Sequence, residues 1–284
     1  MTLLQVLLIG LGLAGYYALV AIGFGLIFAT VKVFHIAHGT VFLAGGYVFF
    51  IFHRLLDFPI VWSGLAGVLV ASALGLAIDK AIYLPVLRRG GGLFSVFIAS
   101  LGIALVFDSL FLVWTKGIAS VARVGNLQIL EAGRIVVRLI DLWSIVAVAV
   151  ICGALYLWLH RTGTGLRVRA LTDNEPLAAV VGVDIGRTRN AIFLVASALA
   201  GIAGVFTAYD TGITPETGLR VLFIGVVAVT LGGIRNLLLG TIVGSLSLGI
   251  LTAYAGFLFP TWVTLSIFLM MILLLLFRPQ GIFG

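Results

Sequence analysis

Charge is what this chain has least of. Lys and Arg number 17 and Asp and Glu 10, together 10% of 284 residues, while 62% are hydrophobic and the mean hydropathy is +1.27. Soluble domains hold about 25% charged residues. The composition therefore excludes a water-soluble fold and predicts an all-α polytopic membrane bundle, an architecture that satisfies its backbone without water. Cysteine is nearly absent too. Cys152 stands alone in an apolar run, which rules out an internal disulfide, and no Cys/His cluster has metal-ligand spacing. Neither a metal nor an organic cofactor is expected. The Gly-x-x-x-x-Gly-Lys-Ser/Thr phosphate loop is missing, so ATP is not bound through that motif. Gly10-Leu-Gly-Leu-Ala-Gly15 fits a dinucleotide pattern but lies inside an apolar span with no strand before it, and is read as coincidence. No serine stands with a basic partner in a nucleophile motif, so an enzyme is not expected. The N-terminus lacks the basic region and cleavage site of a signal peptide and reads as a retained first span.

What is present is hydrocarbon in long runs. A core of about 30 Å needs about 20 apolar residues in a helix. Runs that qualify cover roughly 3–31, 39–52, 58–78, 93–115, 139–159, 187–209, 219–233, 237–256 and 259–277. That makes eight or nine spans, the second and seventh being short. The 36 glycines suggest closely packed helices; Ala196, Ala200 and Gly204 share one face of the sixth span, and Gly240 and Gly244 one face of the eighth.

Basic residues set the orientation. Lys80, Arg88 and Arg89 after the third span, and Arg161, Arg167, Arg169, Arg187 and Arg189 after the fifth, mark cytoplasmic loops. The same rule explains the net charge of +7 without nucleic acid. Asp210, Glu216 and Arg220 then fall on an outer loop, and Arg278 places the C-terminus inside. Segment 116–138, with Lys116, Arg123, Arg134 and Arg138, breaks the rule on the outer side; its alternating apolar residues predict a small hairpin. The chain reads as one transmembrane domain, 1–284, with a cytoplasmic segment at 160–190.

Ionisable groups at membrane depth face a wet path or a buried partner. Asp108, well inside the fourth span, is the strongest candidate for a translocation path. His35, His38 and Asn236 lie near span ends and are gate candidates. Asp79, at the end of the third span, is read as interfacial.

The most polar long segment runs from Gly165 to Asp184. Asp173-Asn174-Glu175-Pro176 has the polar cap and early proline that start helices. Leu177-Ala-Ala-Val-Val181 continues it and Gly182 supplies a stop. A two-turn helix is marginal in water unless packing holds it; Leu177, Val180 and Val181 are its natural contacts. Arg167 and Arg169 lead in, where they pair with acids or lipid phosphates.

These residues resemble the coupling loop of the permease subunits of high-affinity branched-chain amino-acid ABC importers. Gly165, Arg169, Ala170, Asn174, Ala178, Gly182, Val183 and Asp184 fill that family's pattern. Phe34-His35-Ile36-Ala37-His38-Gly39, Leu231-Gly232-Gly233-Ile234 and the tail from Leu276 to Gly284 are similar to its other motifs. Two positions depart: His35 stands where the family has Asn, and Arg235 where it has Gly before Asn236. The resemblance implies a bacterial inner-membrane subunit with two cytoplasmic ATPase subunits, a related second permease and an extracytoplasmic substrate-binding protein. It implies a small amino-acid cargo, and coupling through Arg167, Arg169, Asn174, Glu175, Leu177, Ala178, Val181 and Gly182. A permease for urea or short amides in a related importer, and a stand-alone secondary transporter or channel, stay open as alternatives.

Overall fold

Each long apolar run becomes a helix, because only a helix closes its own backbone hydrogen bonds in hydrocarbon. The computed structural model describes residues 3–114, 129–132, 135–233, 237–277 and 281–283. In chain order the helices are α1 (Leu3–Val31), α2 (His38–Phe50), α3 (Ile60–Ile78), α4 (Leu84–Arg88), α5 (Leu93–Trp114), α6 (Leu139–Arg161), α7 (Gly163–Asp173), α8 (Glu175–Val180), α9 (Ile185–Asp210), α10 (Pro215–Gly232), α11 (Leu237–Leu258) and α12 (Val263–Phe277). Two strands, β1 (Ile129–Ala132) and β2 (Ile135–Arg138), pair antiparallel with Ile129 opposite Arg138. The expected hairpin is therefore present, although Lys116, Arg123 and Arg134 lie outside the described residues.

Among the described residues seven helical segments are long and apolar enough to cross a membrane, with α3 and α4 joined into one by a π turn at Asp79–Tyr83. Of the eight or nine runs expected, seven meet that length and composition. The two not counted are α2, whose 13 residues run on through a π turn at Ile51–Leu55 that carries His53 and Arg54, and α12, with 15. At the first, Lys32 takes a left-handed φ of 59° and ends α1, and the chain turns through 34–37 before helix resumes at His38. At the second, a tight turn at Pro260–Trp262 uses up the start of the apolar run.

α2 is buried on nearly every side, as a helix apolar on most of its faces should be. It lies among α3, α9 and α10. Small residues permit the approach: a methyl placed on Gly45 would stand 2.7 Å from the Cα of Gly201. Central α1 packs on α6, α9, α10 and α11, while α3, α5 and α6 turn apolar side chains outward over most of their length. Gly240 and Gly244 of α11 lie against the backbone of Gly232 and Ala228 in α10, the close approach their spacing predicts.

Ion pairs close the two ends. At one end Arg138 joins Asp141 at the start of α6 to Asp210 at the end of α9, with Nε 2.9 Å from Asp141 Oδ2 and Nη1 2.9 Å from Asp210 Oδ1. Burial lowers the proton affinity of this guanidinium, but the two carboxylates outweigh it and hold the pKa above its ordinary value. The other end carries α7 and α8.

Candidate functional site

Thr162 opens α7 by accepting the Gly165 N–H at 3.0 Å. Gly165, Val168 and Leu171 face inward at helical spacing, and Arg167 and Arg169 face water. The two arginines thus sit on a helix instead of a lead-in loop. Two glycines beside the cap, poor helix formers, hide this helix in the sequence. Asn174 then ends α7 and starts α8, with extended backbone and a side chain accepting the Leu177 N–H at 3.1 Å. Pro176 sits in the first turn.

The end of α8 is a Schellman motif. The Val183 N–H donates to Ala178 O at 3.0 Å and the Gly182 N–H to Ala179 O at 3.1 Å, with Gly182 at φ 89°. Asp184 caps α9 through the Arg187 N–H at 2.9 Å. Both expected boundaries of the short helix hold. What seats it differs from expectation. Ala178 is 2% exposed and belongs to the buried core, whereas Leu177, Val180 and Val181 are 58%, 84% and 70% exposed. Asn174, Glu175 and Gly182 are exposed as well. The result is a capped two-turn projection with three bare aliphatic side chains and a basic helix beside it. A valine at 182 has to hold a left-handed φ, at a cost of about 1–3 kcal/mol. Gly182→Val should therefore speed hydrogen exchange across 174–183 while leaving the melting temperature of the bundle unchanged; unchanged protection there would count against the cap.

Behind α8 a buried polar chain leads inward. Asp79 is fully buried in protein, and Arg189 of α9 is its partner, with Nε 3.0 Å from both carboxylate oxygens. The guanidinium lies 5.6 Å above the ring of Phe193, a favourable cation–π distance. Phe193 in turn meets the rings of His35 and Tyr83 at 5.7 and 6.2 Å. Tyr83 donates to Ser100 Oγ at 2.7 Å, so its hydroxyl has only acceptor capacity left for His35 Nδ1 at 2.8 Å. That fixes the proton of His35 on Nδ1. Ser100 also accepts the Ala37 N–H at 2.9 Å. His38 Nε2 donates to Val20 O at 3.2 Å. His35 Nε2 and His38 Nδ1 are thus bare acceptors, fully buried, without a partner among the described residues.

The structure brings His35 and His38 together, with ring centroids 5.5 Å apart. Asp108 is half-buried on α5, eight residues and so about 12 Å beyond Ser100. Asn236 lies outside the described residues. Asp79, Arg189, Tyr83, Ser100 and the Arg138 triad carry no local sequence signal. Arg189 and Asp79 are 110 positions apart, and nothing in the spacing of either announces the other.

At the opposite end from α8 a cavity of about 770 Å³ opens among α1, α9, α10, α11 and α12. Its wall is mostly aliphatic and aromatic, with hydroxyls from Thr207, Thr211, Thr217 and Thr252 and one cation, Arg220.

Comparison with known proteins gives a consistent result. The family described as "Branched-chain amino acid transport system / permease component" matches residues 6–276. The high-affinity branched-chain amino acid transport system permease protein BraD of Pseudomonas aeruginosa is 28% identical over 297 residues, covering 99% of this chain and 95% of that protein. LivH of Escherichia coli, a permease protein of the same description, is 27% identical over 300 residues with the same coverage. The ribose import permease protein RbsC of Bacillus subtilis is 30% identical over 168 residues, covering 56% of this chain and 51% of that protein. Among solved structures, PsaBC from Streptococcus pneumoniae in complex with Fab superposes with a TM-score of 0.51 at 16% identity, over 98% of this chain and 91% of that one. This last likeness is one of fold.

Proposed function

The chain belongs to the family of branched-chain amino-acid transport permease components, and on that premise we propose that α7 and α8 are the part gripped by an ATPase subunit. The protein is a multi-pass membrane permease subunit of an ABC importer, without catalytic chemistry of its own. In this reading its cargo is a branched-chain amino acid, and separate ATPase subunits supply the work. A related second permease stands beside it and a binding protein delivers cargo outside. The end bearing α7 and α8 is cytoplasmic, and α2 and α12 count as two further, short crossings.

One observation carries the coupling assignment: α8 is capped at both ends, seated by Ala178, and still leaves Leu177, Val180 and Val181 bare. A loop that only fixed orientation has no need of such a handle. Apolar side chains of this kind anchor a helix in a partner's groove. Arg167, Arg169, Asn174, Glu175 and Gly182 form the rim around those anchors. Coupling requires contacts that differ between two states, so the ATPase holds α8 throughout the cycle and α7 carries the movement into α1, α6 and α9, on which it packs.

Val180→Asp tests this without touching the bundle. Loss of an interface anchor costs about 2 kcal/mol, roughly thirty-fold in affinity. The variant should insert and melt as the wild type does, while ATPase subunits no longer co-purify and ATP-driven leucine uptake falls in proportion. Normal uptake by this variant would remove α8 from the mechanism. Uptake of urea in place of leucine by the wild-type complex would redirect the cargo assignment, and uptake without any ATPase would favour a stand-alone carrier.

A further inference from the structure

Arg220 is a cation on a membrane-spanning helix with no ion-pair partner among the described residues. It lies five residues into α10, about 7 Å along the axis from Pro215. It is exposed and makes no ion pair among the described residues; Glu216, one turn earlier, does not reach it, and Asp210 is committed to Arg138. Ionisable groups in such positions face water-filled paths or ligands.

The surroundings select the ligand. Thr217, Arg220, Val221, Ile224 and Val227 recur at helical spacing and line one wall of the 770 Å³ cavity. That volume falls within the range of about 300–1,000 Å³ typical of small-molecule sites, which combine apolar walls with a few placed polar groups. Threonine hydroxyls from α9 and α11 stand in the remaining wall. A single guanidinium in an apolar chamber suits an anionic oxygen group borne on a short hydrocarbon tail. The guanidinium fork matches a carboxylate in two parallel hydrogen bonds.

We propose that this cavity is a transit site for the cargo, in which Arg220 receives the α-carboxylate and Ile224, Val227 and Ile267 surround the aliphatic side chain. The proposal rests on the transport reading above and adds the part of the cargo that the permease itself recognises. A membrane phosphate offers similar chemistry, and the test separates the two sources.

Cys152 is the only cysteine, so Cys152→Ala with Thr252→Cys places one thiol of this chain in the cavity wall. The assembled transporter is embedded in neutral phosphatidylcholine discs, and maleimide labelling of this chain is followed. Charge-assisted contacts to a ligand are worth about ten- to a hundred-fold in affinity. L-Leucine should slow labelling, and L-leucinol, which lacks the carboxylate, should do so only at concentrations higher by that factor. Adding Arg220→Gln should erase the difference, and Arg220→Lys should restore part of it. Equal protection by both compounds, or none by leucine, overturns the proposal. So does protection by phosphatidylglycerol discs alone, which assigns the cavity to lipid. Thr207→Cys repeats the measurement if the first thiol disturbs folding. ATP-driven uptake by the wild type tests the transport reading separately, so the two can fail independently.

Discussion

Arg189→Ala is expected to be the most damaging single change in the bundle. It strands the Asp79 carboxylate, which has no exposed surface, without its cation. Removing one partner of a buried pair costs about 3–5 kcal/mol, because the remaining charge stays desolvated. The variant should melt well below the wild type in detergent and lose uptake. Neutralising both partners, Asp79→Asn with Arg189→Gln, removes the charges and keeps most of the shape, so it should recover much of the stability. A double variant as unstable as the single one, or a single variant that melts normally, would show that the pair does not hold α3 to α9. Recovery of melting without recovery of uptake would locate its role in transmission instead of folding.

The second large effect belongs to Gly204. A side chain there would press against the carbonyl oxygen of Phe42 in α2, within 3.1 Å of the Gly46 nitrogen. Both obstacles are backbone, so no rotamer change relieves them. Ordinary overpacking by a methylene or two costs about 1–3 kcal/mol, and Gly204→Val should lie at or above the top of that range. Gly102→Val is the control: nothing stands within 4 Å of a methyl at that site, so the change should stay within about 0.5 kcal/mol of the wild type. Equal melting temperatures for the two variants would contradict the packing of α2 on α9.

Much of this was legible beforehand, and the rest was hidden for physical reasons. Long apolar runs give helices because hydrocarbon leaves the backbone no other solution, and α8 was bounded correctly because Asn174 and Gly182 are local signals. The face of Ala196, Ala200 and Gly204 was legible as well, since small residues four apart have one geometric meaning. The missed features depend on the whole fold. α2 starts only at His38 because the chain spends 32–37 turning back, which composition does not reveal. The buried pairing of Asp79 depends on Arg189 arriving from far along the sequence. Leu177, Val180 and Val181 were read as packing contacts because apolar residues usually are, whereas the seat is the small Ala178. The cavity around Arg220 draws on five helices, and the sequence had placed that arginine in a loop.

One consequence concerns α9. Near its first turn it is riveted to α3 through Arg189, and at its last residue to the hairpin strand and α6 through Asp210. The rivets are 21 residues apart, about 31 Å of rod. A rod fastened at both tips cannot shuttle along its own axis without breaking a salt link. It can swivel about that line or lean with its neighbours. A push on its Arg189 end would therefore reach its Asp210 end as torque.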